Sequence, residues 1–447
     1  MHVSYIVHWT GVNIDTGRFQ LKFDPLKTHE IENYGHSKKR LKSEGLAMFT
    51  TIVITIIALL LLLAIWFIID FRLGRKRHQQ QASTAKMFPM RHSETELIKD
   101  GRRFFQRLFT DIEQAQDHVH TSVFIIKEPG IGAQLLALLE RKARDGVKVR
   151  LLVDRFGSRL ATATIHRLKR SGISFAYAHK PKFPFIFYSA NRRYHRKITV
   201  VDGKIAYLGG FNVGDEYVGK DKLGYWRDYH VRMEKEIITD LQETFLDDWA
   251  EAGGAPPANL MPASTEQGPE PMQLLASEGL GYADELIKWF DSAENYVLIA
   301  SPYYVPGRQI QDAIINMAKR GVKVDILLPQ KKDHPLVKDA AFAYFEELLQ
   351  AKCNIHEYIT GFFHGKAIVI DGHFANIGSA KVDKRSFFLN DELDLFFHQQ
   401  GEMVTTAEAI VRNDMQAAKQ ITMQDLENRT WFEKAKTKFA TWISDLL

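Results

Sequence analysis

The feature that most constrains this 447-residue chain is that its second half repeats its first. Asp145-Gly146-Val147-Lys148-Val149-Arg150-Leu151-Leu152-Val153 is answered by Arg320-Gly321-Val322-Lys323-Val324-Asp325-Ile326-Leu327-Leu328. Ahead of each copy lies a helical stretch. In the second copy, Ile310, Ala313, Ile314 and Met317 keep the i, i+3, i+4, i+7 spacing of one buried face. Ahead of each helix lies a short β-like run, Val119 to Ile126 and Tyr296 to Ser301. Strand, helix, strand in both halves predicts an α/β fold, two tandem sandwich domains each built on a largely buried sheet.

The repeat carries chemistry. His195-Arg196-Lys197-Ile198-Thr199-Val200-Val201-Asp202 matches His364-Gly365-Lys366-Ala367-Ile368-Val369-Ile370-Asp371. At the same distance beyond each comes a small-residue turn, Gly209-Gly210-Phe211-Asn212 and Gly378-Ser379-Ala380-Lys381. One such pattern says little, but two at matching places in a duplication are hard to assign to packing alone. Residues two apart in a strand share a face, so His195 projects with Lys197 and His364 with Lys366. That pairing of imidazole and ammonium suits a phosphate ester. Asp202 and Asp371 follow their lysines by an odd step. This turns them to the other face or into the Asp-Gly turns at Gly203 and Gly372, a structural role first and a catalytic one second. Cys353 is the single cysteine, and no Cys/His cluster has zinc-ligand spacing, so neither a metal nor a cofactor is expected.

From Phe49 to Ile69 no residue is charged, and about 20 apolar residues suffice for a helix to span a bilayer. The run is longer than the apolar part of a signal peptide and ends on Asp70, Arg72, Arg75, Lys76 and Arg77. The basic flank favours a cytoplasmic position for the chain downstream of it. The first 47 residues show no periodicity or motif, and Met48 directly precedes the apolar run; translation is expected to start there. Five prolines, Pro256, Pro257, Pro262, Pro269 and Pro271, mark a break between the halves. The expected layout is an extension over 1–47, a transmembrane helix over 48–71, a basic juxtamembrane linker over 72–93, a first domain over 94–253, a Pro-rich linker over 254–272 and a second domain over 273–447.

Composition, 45% hydrophobic and 25% charged, excludes a disordered or fibrous chain. A net charge of +5 suits nucleic acid, anionic lipid and phosphate esters equally. The run Lys180-Pro181-Lys182-Phe183-Pro184-Phe185-Ile186-Phe187-Tyr188 interleaves aromatic and basic residues. It fits nucleobase stacking, insertion into a headgroup layer or a buried strand, and the nearby membrane helix favours the lipid. Trp431, Phe432, Phe439, Trp442 and Ile443 have helical spacing, which core packing and membrane contact explain equally well.

The paired motifs, the Gly-Gly-Phe-Asn turn and the run from Gly378 through Lys384-Arg385-Ser386-Phe387-Phe388-Leu389-Asn390-Asp391 to Glu392 resemble the phospholipase D superfamily, and within it the bacterial cardiolipin synthases of the single-helix, minor type. The resemblance covers about Glu94 to Trp431. It implies two like domains meeting face to face around one active site, so no oligomer is required. It also implies that His195 attacks phosphorus to give a phosphohistidine while His364 protonates the departing glycerol. Asp228 and Glu392 would hold the histidines in one tautomer, and Lys197, Lys366, Asn212 and Ser379 would stabilise charge on the non-bridging oxygens. The candidate catalytic set is thus His195, Lys197, Asp202, His364, Lys366 and Asp371, supported by Asn212, Asp228, Ser379 and Glu392. The implied reaction joins two phosphatidylglycerols into cardiolipin, with anionic membrane lipid as partner and no nucleic acid. Hydrolysis by a phospholipase D, or another phosphatidyl transfer, is the alternative; a nuclease is disfavoured, since its simple members carry one motif per chain. Two departures stand out. Lys381 occupies a place where the superfamily has asparagine, and one membrane helix stands where larger members have two.

Overall fold

The computed structural model describes residues 25–81, 84–258, 260–334 and 336–444, with side chains from Arg40 onward except 41 and 81. The part of the N-terminal extension before Pro25 lies outside the described residues. From Pro25 to Gln81 the chain is one helix, α1. Its segment Lys42–Gln80 is long and apolar enough to cross a membrane, and Leu59 to Leu63 are all exposed. The helix does not stop at the end of the apolar run but continues through much of the stretch expected to be a linker. Arginine, lysine and glutamine are good helix formers, and no proline interrupts them. Packing also holds this end. Asp70 begins the compact unit Asp70–Leu447, where Phe71 meets Tyr188 edge to face with ring centroids 5.5 Å apart. Gly74 is required at this contact, since a Cβ there would lie 2.5 Å from Cβ of Tyr188.

Within the compact unit, β1 (Arg91–Asp100) leads into the first repeat. Its parallel strands β2 (His118–Val123), β3 (Lys148–Asp154) and β4 (Ser174–Ala178) are joined in part by α2 (Ile131–Arg144). A short helix, α3 (Ile186–Asn191), comes next. Antiparallel β5 (Ile198–Val201), β6 (Ile205–Gly209) and β7 (Trp226–Lys235) then lead to α4 (Ile237–Glu251). The second repeat begins with β8 (Glu270–Glu278), so the last residues of the Pro-rich stretch already belong to a strand. It proceeds through β9 (Tyr296–Ala300), α5 (Gly307–Lys319), β10 (Lys323–Pro329), α6 (Val337–Gln350) and β11 (Asn354–Tyr358). It closes with β12 (Phe362–Phe363), β13 (Ala367–Ile370), β14 (Phe374–Gly378), α7 (Lys384–Phe388), β15 (Asp391–His398) and α8 (Glu402–Gln416). Ile310, Ala313, Ile314 and Met317 are buried on α5, as their spacing predicts.

The strands of both repeats are runs of Val, Leu and Ile because layers cover them on both faces. Phe105, Leu139 and Val149 belong to the outer core of the first repeat, and Leu286, Ile314 and Ile326 to that of the second. A third core lies between the repeats. It joins Ile198, Val231 and Phe245 to Leu298, Val369, Leu393 and Val404. Strand pairing also crosses the boundary, since β1 pairs with both β7 and β8, and β12 runs parallel to the start of β7. The repeats therefore meet through a shared core and shared strands.

The tight turns after β5 and β13 explain the two motif aspartates. Asp202 and Asp371 both adopt left-handed backbone angles, φ 53° and 51°. Asp202 accepts backbone N–H groups from Gln116, Asp117 and His118 at 2.8, 2.8 and 2.9 Å. Asp371 accepts those of Glu294, Asn295 and Tyr296 at 2.7, 2.9 and 2.7 Å. Each carboxylate is therefore occupied in anchoring the start of a neighbouring strand, the structural role that their odd spacing from the lysines suggests. Asp202→Ala should lower unfolding free energy by about 1–3 kcal/mol by stranding these donors, with the kcat of any activity the folded protein carries retained. Thermal melting and kcat measured together check this; a lost kcat at unchanged stability would support the catalytic assignment.

Candidate active site

The two His-x-Lys segments lie in extended chain just before β5 and β13 rather than inside a strand. What fixes them is backbone pairing with the other repeat. His195 N donates to Asp391 O at 3.0 Å and Asp391 N to Arg193 O at 3.0 Å, a parallel bridge between Tyr194 and Asp391. In the equivalent place, β12 pairs with β7 and His364 N donates to Arg227 O at 2.7 Å. The residue after Asp391 is Glu392, and the residue after Arg227 is Asp228. Each bridge therefore sets a histidine of one repeat beside a carboxylate of the other. His195 Nδ1 lies 2.7 Å from Glu392 Oε2, and His364 Nδ1 lies 2.6 Å from Asp228 Oδ2. All four side chains are buried.

Second contacts hold the carboxylates. Glu392 accepts hydroxyls from Ser379 at 2.6 Å and Ser386 at 2.8 Å, and the Asn390 amide at 3.3 Å. Asp228 accepts Tyr229 N at 2.9 Å and Lys366 Nζ at 3.3 Å. Gly210 makes room for it, since a Cβ there would sit 1.9 Å from Asp228 Oδ1. Ser379 also accepts Leu393 N at 2.9 Å, so its hydroxyl is committed to Glu392 and β15 rather than to a phosphate oxygen. Asn212 accepts Ile125 N at 3.2 Å and donates to Tyr217 at 3.1 Å, which leaves it one amide hydrogen. Of these two, Asn212 keeps an amide hydrogen outside these contacts, whereas the Ser379 hydroxyl is engaged at both its donor and an acceptor position.

Three buried lysines surround the imidazoles. Lys197 Nζ donates to His195 O at 2.6 Å, and Lys366 Nζ to His364 O. Lys381, which stands opposite Asn212 in the repeat, sits 3.7 Å from Asp383 and over the Tyr303 ring at 5.5 Å. Burial, then the charges of Lys197, Lys381 and Lys366, hold His195 well below the usual histidine range. Burial and Lys366 bring His364 down to about 4 against the opposing pull of Asp228. Burial brings Lys197 down to about 7 and Lys366 to about 8, helped by repulsion among the lysines. Asp228 goes the other way. Burial alone would raise it, but Lys366 and His364 carry it down to about 2.

Both imidazoles are thus neutral near pH 7. Among the described residues neither Nε2 makes a hydrogen bond; the carboxylate beside each Nδ1 calls for the Nδ1–H tautomer, with Lys366 Nζ also 2.7 Å from His364 Nδ1, and in that tautomer Nε2 keeps its lone pair. The arrangement offers two bases in a field of buried positive charge, which an anion would relieve. A phosphodiester fits this environment, with one non-bridging charge and a phosphorus open to attack. Among the described residues no cluster of His, Cys, Asp and Glu could hold a metal.

Sequence reasoning missed a set of ion pairs that brace the site. Arg196 pairs with Asp248, which also accepts Tyr194 OH at 2.8 Å. Arg227 pairs with Asp414 at 2.6 Å, which accepts Tyr229 OH at 2.7 Å. Their acids lie on α4 and α8, the helices that follow β7 and β15, but the arginines do not match in sequence. Arg196 stands inside its His-x-Lys motif, whereas the matching position in the second motif is Gly365 and the arginine comes from β7, so a repeat search finds no pair. Asp154 accepts Tyr194 N at 2.9 Å and Arg193 at 3.0 Å, fixing the approach to His195.

Known proteins match this architecture. A family described as "Cardiolipin synthase, PLD-like domain" matches residues 108–249 and 286–415. The chain is 37% identical over 396 residues to the minor cardiolipin synthase ClsB of Bacillus subtilis, covering 88% of this chain and 98% of that protein. It is 34% identical over 363 residues to a cardiolipin synthase of Halalkalibacterium halodurans, covering 79% and 72%. Among solved structures, phosphatidylserine synthase of Haemophilus influenzae shares the fold at a TM-score of 0.62 and 13% identity, over 84% of this chain and all of that one. Polyphosphate kinase of Porphyromonas gingivalis does so at 0.51 and 14%, over 79% and 54%.

The lysines give the site a pH dependence with a definite sign. A bound anion favours their protonated form, and in the free site that form is lost as pH rises past about 7 at Lys197 and about 8 at Lys366. KM for an anionic phosphodiester should therefore be lowest below pH 7 and climb through those values. Steady-state kinetics across the range check it, and a flat KM would contradict it.

Proposed function

The chain belongs to the cardiolipin synthase family of phospholipase D-like proteins, and from that premise we propose that it moves a phosphatidyl group from one phosphatidylglycerol to the hydroxyl of another. It is a phosphatidyltransferase, and phospholipid is its substrate class. The observation that carries the residue assignment is the crossed pair of carboxylate-bound histidines among three buried lysines.

In the first half-reaction, Nε2 of His195 attacks phosphorus. The P–N bond forms as the P–O bond to glycerol breaks. His364 supplies the proton the glycerol oxygen needs. Its pKa of about 4 in the free site reflects burial and the Lys366 charge. A phosphodiester anion placed among the lysines offsets that field, so the ring takes up a proton as substrate binds. In the second half-reaction the now neutral His364 accepts the proton of a primary hydroxyl on a second phosphatidylglycerol. That oxygen attacks phosphorus, the P–N bond breaks, and His195 is restored. The products are cardiolipin and glycerol. Lys197, Lys366 and Lys381 neutralise charge on the non-bridging oxygens, where one such donor is worth about 3–4 kcal/mol. The basic flank after the apolar run supports placing the catalytic part on the cytoplasmic side.

Purified full-length protein in phosphatidylglycerol vesicles should release glycerol and cardiolipin in equal amounts. Phosphatidic acid as the sole lipid product would show that water, not a lipid hydroxyl, meets the intermediate. His195→Ala should abolish turnover, and His364→Ala should lower it by about 10²–10⁴-fold. Substantial activity in either variant would break the two-histidine assignment.

A further inference from the structure

The last helix of the described chain, α9 (Trp431–Trp442), is folded against the second repeat on one side only. Ala440 joins Val305, Val337 and Ala340 in a small core. Thr437 donates to Asp339 O at 3.0 Å, and Lys436 pairs with the Asp339 carboxylate at 2.9 Å. A capping box at Thr430 and Glu433 secures its start. The opposite side is aromatic and uncovered. Trp431 is 79% exposed, Phe432 64%, Phe439 52% and Trp442 81%. At about 100° per residue, these four and Ala435 fall within an arc of about 100°. Lys434 and Lys438 border the arc on one edge and Lys436 on the other.

Core packing does not account for this stripe, because the packed side is the one that carries Ala440 and Thr437. Tryptophans framed by lysines suit a headgroup layer. The rings occupy the boundary between acyl chain and water, and the Lys438 ammonium beside them reaches anionic lipid, while Lys436 and Lys434 are held by Asp339 and Glu427 O. The position in the fold agrees. Ser444, just past α9, accepts Lys384 Nζ of α7 at 2.8 Å. On the same short helix, Phe388 lies under the Arg75 guanidinium of α1 at 5.5 Å. Arg75 falls in the first turns after the apolar run ends at Ile69. The same end of α1 holds α3, where Asp70 accepts Tyr188 N at 2.7 Å. Just before α3, Phe183 is 87% exposed between Lys182 and Pro184. The segment where the chain leaves the bilayer is thus contacted by two elements that carry or adjoin uncovered aromatics.

We propose that α9 lies in the plane of the membrane as an interfacial helix, with Trp431, Phe432, Phe439 and Trp442 set into the headgroup layer of an anionic bilayer. It gives the catalytic unit a second attachment besides α1, and two attachments restrict tilt in a way one helix does not.

The test uses full-length protein in nanodiscs of phosphatidylglycerol and phosphatidylethanolamine, with Trp442→Cys or Trp431→Cys carrying an environment-sensitive fluorophore. Cys353 does not compete, being buried with its thiol pushed up to about 12. Both probes should lose most of their emission to nitroxides on lipid headgroups and be shielded from aqueous iodide. Quenching by iodide without quenching by lipid nitroxide would overturn the proposal. So would shielding from both, which marks a protein partner or a second copy, and so would lipid contact at one end of the helix only. The readout is depth rather than turnover, so it stands apart from the outcome of the lipid assay.

Discussion

The active site depends on two short parallel backbone bridges between the repeats. One ties His195 and Arg193 to Asp391, and the other ties His364 to Arg227. Because the next residue on each partner strand is an acid, the bridges do more than join domains. They deliver Glu392 to His195 and Asp228 to His364. Neither repeat holds an oriented histidine by itself. The shared core around Ile198, Val231, Val369 and Leu393 makes the bridges permanent, and the buried Arg196–Asp248 and Arg227–Asp414 pairs fix the chain on either side of them.

Burying three lysines and two histidines together is costly unless something answers the charge. Asp228 and Glu392 answer part of it, and the remainder appears as lowered proton affinity at both histidines and at Lys197 and Lys366. Buried charge of this sign is electrostatically complementary to an anion. In the proposed mechanism, phosphodiester binding and protonation of His364 are one coupled event, because an anion among the lysines offsets the field that lowers the ring's proton affinity. The two half-sites share the work unequally. Lys366 contacts the carboxylate of its own histidine, Lys197 lies 5.7 Å from the Phe124 ring, and Lys381 adds a charge with no lysine opposite it at Asn212.

Much of this was legible from the duplication. Repeated strand–helix–strand patterns give the α/β class, and the repeated His-x-Lys pairs mark the site. The odd spacing of Asp202 and Asp371 points to turns, where backbone amides indeed occupy both carboxylates. The family resemblance names Asp228 and Glu392 as the histidines' partners, but the residues alone do not say which acid meets which histidine, because that arises between repeats. Glu392 and Asp228 lie 197 and 136 residues from the histidines they hold, and no local pattern encodes that crossing. Ser379 looks like a phosphate ligand by its place in the turn, but only the fold reveals that Glu392 claims its hydroxyl. The continuation of α1 to Gln81 depends on the contact of Gly74 and Phe71 with Tyr188, which is equally non-local.

The crossed wiring is open to a direct measurement with a phosphatidyl ester of p-nitrophenol labelled in its phosphate. That leaving group departs without a proton, so formation of the phosphohistidine no longer needs His364. The account predicts a burst of p-nitrophenol and label on His195 in the Asp228→Asn and His364→Ala proteins. Both signals should be lost in the Glu392→Gln and His195→Ala proteins. A burst that survives Glu392→Gln but not Asp228→Asn, or label recovered on His364, would contradict it.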